Sequence, residues 1–521
     1  MSEELQDNET QKRKKWQIIL SSVGSLIVLF SKKRYQLNQY MRLHYSAGKL
    51  AFFSVLVGVL ISVLILFIPP YLGVANDGIG NKKMLESGLS YLDSQTANTS
   101  NNYFERVYER TIQQKEGISA HLLCVDIAKA VDTYFTKDNL FDIRFLALIY
   151  IILWTPGMYL VLKAALERVS FFTEGAVLAV LGTIIFSDIS YITYFNSLYS
   201  DALILICLLY IAGGSMLLHK ENKRDKGLIF VITVAGIILI LSEKRCFLAG
   251  IVIAMFLFAQ VRIFMQMEMK LLSVVCGIVL LTGTITGIYN CGDEFDETAK
   301  FHAMTRGVLL QSEDPEDELA HMNIDHSYTV LTDVSLYDDY PIAEISNSLI
   351  QNGFLDKYEE EDIMLFYLRH PGALISMWDL GVKAAFDLRR SYCSNYEEST
   401  GMPAMGKSIF WSVWSTFKER SAPKTIGYVL ILTIVFTVMS GKKVFHKKNI
   451  QRWEYVYFTA MLMLVFLCMG DLTYVILKSG DSQFIQYNII SGTVMDLLFY
   501  YVMAEILHKL NILEVRNEKN E

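Results

Sequence analysis

Three short polar stretches in an otherwise apolar chain carry the residue types that acid–base and sugar chemistry need. The first, YLGVANDGIGNKKML, sets Asn76-Asp77 a few residues beyond an apolar run, where Gly73, Gly78 and Gly80 let the backbone turn tightly. A carboxylate held there is either an ordinary Asx-turn residue or a general base that accepts a proton from an attacking hydroxyl. The second, SDISYITYFNSLYSDAL at 187–203, gathers Asp188, Tyr191, Tyr194, Asn196, Ser197, Tyr199 and Asp201. These side chains offer the donors and acceptors that a sugar's hydroxyls require; interfacial anchoring by the tyrosines and helix capping are the competing explanations. The third, LSEKRCF at 241–247, places Lys244 and Arg245 beside Glu243. Two cations at a lipid–water boundary either snorkel against their counter-ion or bind a lipid-linked phosphate and stabilise its charge as it leaves. Arg306, Arg369 and His370 are weaker candidates for that phosphate role.

Metal chemistry has less support. The seven cysteines (Cys124, Cys207, Cys246, Cys276, Cys291, Cys393, Cys468) form no C-x-x-C pair and have no His at zinc-ligand spacing. At most one disulfide is expected, from Cys291 to Cys124 or Cys393. Asp77 with Asp188 or Asp201 can share a divalent cation, Mg or Mn, through oxygen ligands, although nothing in the spacing requires one.

The elements that must position these residues are membrane helices. Of 521 residues, 52% are hydrophobic and 19% charged, and the mean hydropathy is +0.32. That excess excludes a soluble enzyme as the default. A net charge of −7 argues against a nucleic-acid partner. The N-terminus, MSEELQDNETQKRKKW, does not resemble a cleaved signal peptide. The apolar run from Trp16 to Phe30 lies between two basic clusters and is expected to rest in the interface. A convincing span from Leu50 to Ile68 ends at Pro69-Pro70, and others follow at about 144–162, 171–187, 202–218, 228–242, 247–262, 271–289, 425–440, 455–475 and 486–506.

About ten crossings result. Lys and Arg concentrate in the loops at 219–227, 262–270 and 441–452, which become cytoplasmic by the positive-inside rule. The long polar segments 69–143 and 290–424 then both face outside. The expected organisation is an N-terminal cytoplasmic or interfacial segment 1–49, a membrane core 50–289 with the first outer loop 69–143, an outer region 290–424, C-terminal membrane helices 425–506 and a cytoplasmic tail 507–521. Within the second loop, apolar residues at three- and four-residue spacing predict short surface helices broken at His370-Pro371-Gly372. The acids Glu174, Asp471, Asp496 and Glu505 fall near helix ends, and no internal repeat of the transporter kind is visible.

The order VANDGIG, YFNSLYSD and then FYLRHPG, SNYEESTGMPA and FWSVWSTFKER resembles the WsfD-type glycan-biosynthesis hexose transferases over about residues 50–425. The resemblance implies an all-α polytopic membrane protein, a GT-C-like bundle of about ten transmembrane helices with two large extracytoplasmic loops. It further implies a multi-pass protein of the bacterial plasma membrane whose site faces outside. Its partners would be a polyprenyl-phosphate sugar donor, a glycan acceptor and the lipid bilayer. Carried over residue by residue, Asp77 becomes the base, Tyr194, Asn196, Ser197 and Tyr199 line the site, and Arg369, Asn395 and Tyr396 become loop elements. The chain departs where Lys244 is followed by Arg245-Cys246 rather than a nearby Gln-Asn pair, and where Asp201 stands in place of Glu. The competing classes are a polysaccharide polymerase or O-antigen-ligase-like protein relying on Arg306, Arg369 or His370, and a flippase for lipid-linked glycans.

Overall fold

In hydrocarbon a backbone must satisfy its own hydrogen bonds, so the apolar runs fold as helices. The computed structural model describes residues 46–77, 80–112, 119–169, 171–290, 297–337, 344–345, 347–441, 444 and 452–518. The run from Trp16 to Phe30, Gly78 and Cys291 lie outside the described residues. Apolar helices stand at every expected position: α1 Ala47–Leu66, α2 Arg144–Leu166, α3 Phe172–Phe186, α4 Asp201–Met216, α5 Lys223–Ile240, α6 Phe247–Gln260, α7 Met267–Asn290, α8 Ile426–Phe436, α9 Arg452–Ser479 and α10 Ile489–Glu518. Of these, α1, α2, α7, α9 and α10 are long and apolar enough to cross a membrane, and two bent helix pairs raise the number to seven. By length and composition, then, five to seven of the ten expected crossings qualify among the described residues. The shortfall has plain causes: α5 opens on the charged KRDK stretch, α6 has 14 residues and α4 has 16.

Helix α4 is the axis. Every residue of α4 except Tyr210 is buried, as expected of a helix that is apolar all round. It packs against α2, α5, α9 and α10. Small residues let such helices approach closely. A Cβ at Gly213 would stand 2.6 Å from the Val161 nitrogen and 2.7 Å from the Leu160 carbonyl carbon, so α2 and α4 approach backbone to backbone at that point.

One bent pair joins the helix Val413–Ser421 to α8 at 110°. The first arm is held by two buried acids. Asp188 accepts from the Trp414 and Ser415 amides at 3.0 Å each, satisfying donors at that helix's start. Asp496 accepts from Trp414 Nε1 at 2.7 Å, Lys418 Nζ at 2.8 Å and the Tyr191 hydroxyl at 2.6 Å.

The all-α expectation needs correction in the loops, which contain two small antiparallel sheets. β1 Leu72–Val74 pairs with β5 Cys393–Tyr396, and β2 Leu89–Ser90, β3 Val107–Arg110 and β4 Leu140–Asp142 form the other. Strands of two to four residues are too short for a period-2 pattern to register in sequence. The β1–β5 pair sets Gly73 opposite Asn395 and so joins the two long loops. In the second loop the helices Glu360–Arg369 and Pro371–Phe386 meet at His370, as expected, with Pro371 opening the second. They enclose a separate apolar core around Phe301, Phe354, Tyr358 and Tyr367, which also takes in Val475 and Ile476 of α9.

Gly213→Ala forces α2 from α4 and is expected to destabilise the protein by about 1–3 kcal/mol. Gly227→Ala, where an added carbon meets nothing within 4 Å, is the control. Thermal unfolding in detergent checks this, and equal melting of the two variants would remove the close-contact argument.

Candidate functional site

The turns that end α1, α3, α5 and α9 meet at one end of the bundle, and polar side chains join them. Asn196 Nδ2 donates to the Leu66 carbonyl at 3.3 Å and the Leu72 carbonyl at 2.9 Å, pinning the exit of α1 onto the 187–200 turn. Gly73 is required there, because a Cβ would lie 2.3 Å from the Phe104 ring and 2.7 Å from the Asn196 carbonyl oxygen. Past that point the chain delivers Asp77. The Tyr199 hydroxyl donates to Oδ1 of Asp77, the Gly80 amide donates to the same oxygen at 3.3 Å, and Gln486 Nε2 donates to Oδ2 at 3.5 Å. The carboxylate is thus oriented from three segments far apart in sequence.

Beside it lies a cleft of about 20 Å³, lined among others by Asn76, Tyr91, Ser100, Glu105, Ser197 and Tyr199. That volume has room for roughly one water or a single hydroxyl. Burial pushes the Glu105 carboxyl up to about 7, with the charges of Glu398, Glu397 and Asp93 adding to the effect.

Below this rim two guanidinium groups are enclosed. Arg245, 2% exposed, pairs with Glu243, donates to the Tyr487 carbonyl at 2.8 Å, lies 3.8 Å from Asp471 and stacks on the Tyr487 ring. Snorkelling is therefore not what Arg245 does. Burial would raise the Glu243 carboxyl, but the Arg245 charge holds it below the ordinary carboxylate range. Arg390, 1% exposed, donates to Asn488 Oδ1 at 2.7 Å and to the Tyr392 hydroxyl at 2.9 Å, and stands 3.9 Å from Asp201. Oδ1 of Asp201 and both oxygens of Asp471 accept no hydrogen bond among the described residues. Such acceptors favour a polar occupant or water.

Of the residues singled out in sequence, Asp77, Tyr199, Asp201, Lys244 and Arg245 come together at this end, with Asn76, Tyr194 and Ser197 around them. Asn76 Nδ2 is bound to Asn81 and Asn101 at 3.1 and 2.8 Å. Tyr194 takes the Cys393 thiol at 3.2 Å, and Ser197 donates to the Tyr194 carbonyl at 2.6 Å. Others do structural work. Asp188 caps backbone amides, and Asn196 and Asn395 bind carbonyls; Asn395 reaches those of Ser391 and Gly406 at 3.5 and 3.4 Å. Tyr396 lies in β5 opposite Leu72.

Arg306, Arg369 and His370 belong to the second core. Arg306 grips Asp481 at 2.6 and 3.0 Å and Asp333 at 2.7 Å. His370 meets Glu318 at 3.0 Å, while Arg369 is exposed. Among the described residues no group of three or more His, Cys, Asp or Glu could hold a metal ion, and the Asp188 carboxylate is taken up by the Ser190, Trp414 and Ser415 amides. Cys124 and Cys393 are free thiols. Sequence reasoning passed over Arg390, Gln486, Asn488 and Glu105. The short SQFIQYN turn between two apolar runs was the available signal for two of them.

A family model bears on the whole chain. The model of the YfdI N-terminal transmembrane domain matches residues 11–521. The chain belongs to that family. No curated protein and no solved structure matches it. Membership of the YfdI N-terminal transmembrane domain family supports the multi-pass membrane class and does not extend to the narrower WsfD-type assignment.

The Glu105 carboxyl makes this end of the YfdI-family chain sensitive to pH. Because its folded pKa lies above that of an unfolded carboxyl, the folded state binds the extra proton, and this group costs stability as pH rises from about 4.5 to 7. Glu105→Gln should melt higher than wild type at pH 8 and no higher at pH 4.5. Parallel melting curves at both pH values would contradict the assignment.

Proposed function

We propose that this chain is a membrane hexosyltransferase that moves a sugar from a polyprenyl-phosphate donor to a cell-surface glycan or lipid-linked acceptor, with inversion. The carrying observation is Asp77, a carboxylate held by Tyr199, Gly80 and Gln486 beside a hydroxyl-sized cleft, on the turn that also holds the enclosed Arg245 and Arg390 through the Tyr487 carbonyl and Asn488. YfdI-type membership, with its likeness to GT-C-type membrane glycosyltransferases, supports the class. The ten helices are read as ten crossings. The basic loops at 219–227, 262–270 and 441–452 then lie in the cytoplasm of a bacterial cell and Asp77 faces outside.

In this reading the acceptor hydroxyl enters the cleft beside Asn76 and Ser197. Asp77 takes its proton while the oxygen bonds to the anomeric carbon of the hexose. The bond from that carbon to the phosphate oxygen breaks on the opposite face, and polyprenyl phosphate leaves with one more negative charge. Lys244, half-buried beside Arg245, meets that charge at close range, and the fixed guanidinium groups of Arg245 and Arg390 favour it from below without reorganising. Tyr199 keeps Oδ1 aimed, and it is a positioning residue. No step is routed through a metal.

Transfer from a polyprenyl-phosphate hexose by membranes matched for expression tests the reading. Asp77→Asn should lose at least about a hundredfold in rate, and Tyr199→Phe, which keeps the ring and removes the donor, about tenfold. If Asp77→Asn transfers like wild type, Asp77 is a turn residue. Loss confined to Arg306, Arg369 or His370 variants would move the polymerase or ligase-like class ahead.

A further inference from the structure

The cleft beside Asp77 has a second carboxyl that the transfer chemistry leaves unused. Glu105 lines it together with Asn76, Tyr91, Ser100, Ser197 and Tyr199. Backbone pairing fixes it there. The Phe104 amide donates to the Tyr396 carbonyl of β5 at 3.0 Å, and the Ile143 amide, just past β4, donates to the Arg106 carbonyl at 3.0 Å. Residue 105 therefore sits between two ties to distant segments. Its neighbours are engaged elsewhere: the Phe104 ring is buried in the core, and Arg106 pairs with Asp142 at 2.6 Å and with Glu397 at 3.4 Å.

The hydrogen bonds separate Glu105 from the rest of the lining. Tyr91 donates to Asn81 Oδ1 at 3.0 Å, Ser100 to the Ala97 carbonyl at 2.9 Å, Ser197 to the Tyr194 carbonyl at 2.6 Å, and Tyr199 to Asp77. Asn76 Nδ2 is held by Asn81 and Asn101. These donors are already committed within the protein. The Glu105 carboxyl, half-buried, makes no hydrogen bond and no ion pair among the described residues; what acts on it is burial and the negative charge of Glu398, Glu397 and Asp93. An acceptor enclosed this far without a donor is satisfied by whatever O–H group enters.

A carboxylate with two uncommitted oxygens matches neighbouring hydroxyls on a sugar ring, and each such bond is charge-assisted. The surrounding charge narrows the choice of sugar. Glu397 is answered by Arg106, while Glu398 and Asp93 add negative charge and the rings of Tyr91 and Tyr108 complete the wall. An anionic ligand is repelled from this rim.

We infer that Glu105 binds the acceptor, accepting hydrogen bonds from ring hydroxyls next to the one that attacks, and so selects a neutral sugar over a uronic acid. That the bound sugar is the acceptor rests on the transfer reading; the binding itself does not.

Purified full chain in detergent is titrated with methyl glucoside, methyl galactoside, methyl mannoside and methyl glucuronide, with binding read by saturation-transfer NMR at pH 6 and pH 8. The same glycosides then serve as acceptors beside a polyprenyl-phosphate hexose. A neutral hexoside is expected to bind wild type more tightly than the glucuronide. Because the Glu105 carboxyl titrates near about 7 and its ionised form is the stronger acceptor, affinity should be higher at pH 8 than at pH 6. Glu105→Gln should weaken hexoside binding about tenfold at pH 8 and flatten the pH dependence. In the transfer assay it should raise the acceptor KM while kcat changes little. Glu398→Gln, on an exposed neighbour, should lower the pH at which affinity rises and leave affinity at pH 8 unchanged, which checks the site if the first variant folds poorly. Absence of hexoside binding to wild type, equal affinity in wild type and Glu105→Gln, or a glucuronide bound as tightly as the hexosides would overturn the inference. Hexoside binding that depends on Glu105, without any transfer, would support the sugar site and remove the hexosyltransferase reading instead.

Discussion

Enclosing two guanidinium groups at one end of a membrane bundle is the constraint on which the rest of this structure turns. A buried charge without partners costs several kcal/mol, so Arg245 and Arg390 must be met from several directions. Glu243 comes from the turn before α6, Asp471 from α9, Asp201 from the start of α4, and Asn488 from the turn before α10. Removing any one of these segments would strand a charge. The cluster therefore fixes where four helices terminate relative to one another.

Asp77 inherits its position from this arrangement. The turn that supplies Asn488 to Arg390 and the Tyr487 carbonyl to Arg245 also supplies Gln486 to Asp77. The β1–β5 pair adds a second tie, since the Ala75 amide donates to the Tyr392 carbonyl at 2.8 Å and Tyr392 bonds Arg390. A carboxylate aimed by groups that are themselves locked loses little orientation on binding, which is what the proposed proton transfer requires. A similar lock operates deeper in the bundle, where Asp496 holds Lys418, Trp414 and Tyr191 and so keeps the bent arm Val413–Ser421 in place.

The two ends of the bundle differ in how they treat charge. At the Asp77 end, acids and guanidinium groups are enclosed and matched among several turns. At the other end, the carboxylates of Glu167 and Glu505 and the guanidinium of Arg168 line an open cavity and pair with one another and with the lysines and arginine around it.

Sequence alone determined the helices: apolar runs of near-constant composition set α1 to α10 within about five residues, because hydrocarbon tolerates little else, except that α10 runs on to Glu518 through the segment expected as a tail from 507. It also picked out Asp77, Tyr199, Asp201 and Arg245, since carboxylates and cations at helix ends stand out against an apolar background. Tertiary structure alone decided their roles. Asp188 and Asp201 are the same residue type thirteen positions apart, yet one caps the amides of Trp414 and Ser415 and the other faces Arg390. Arg390 and Gln486 were illegible because the partners that define them, Asn488 and Asp201 for the one and Asp77 for the other, are about 100 to 400 residues away in the chain, and neither spacing nor periodicity encodes a contact made by packing. The short β1–β5 sheet was hidden for the same reason: backbone pairing between distant loops depends on where the helices bring them.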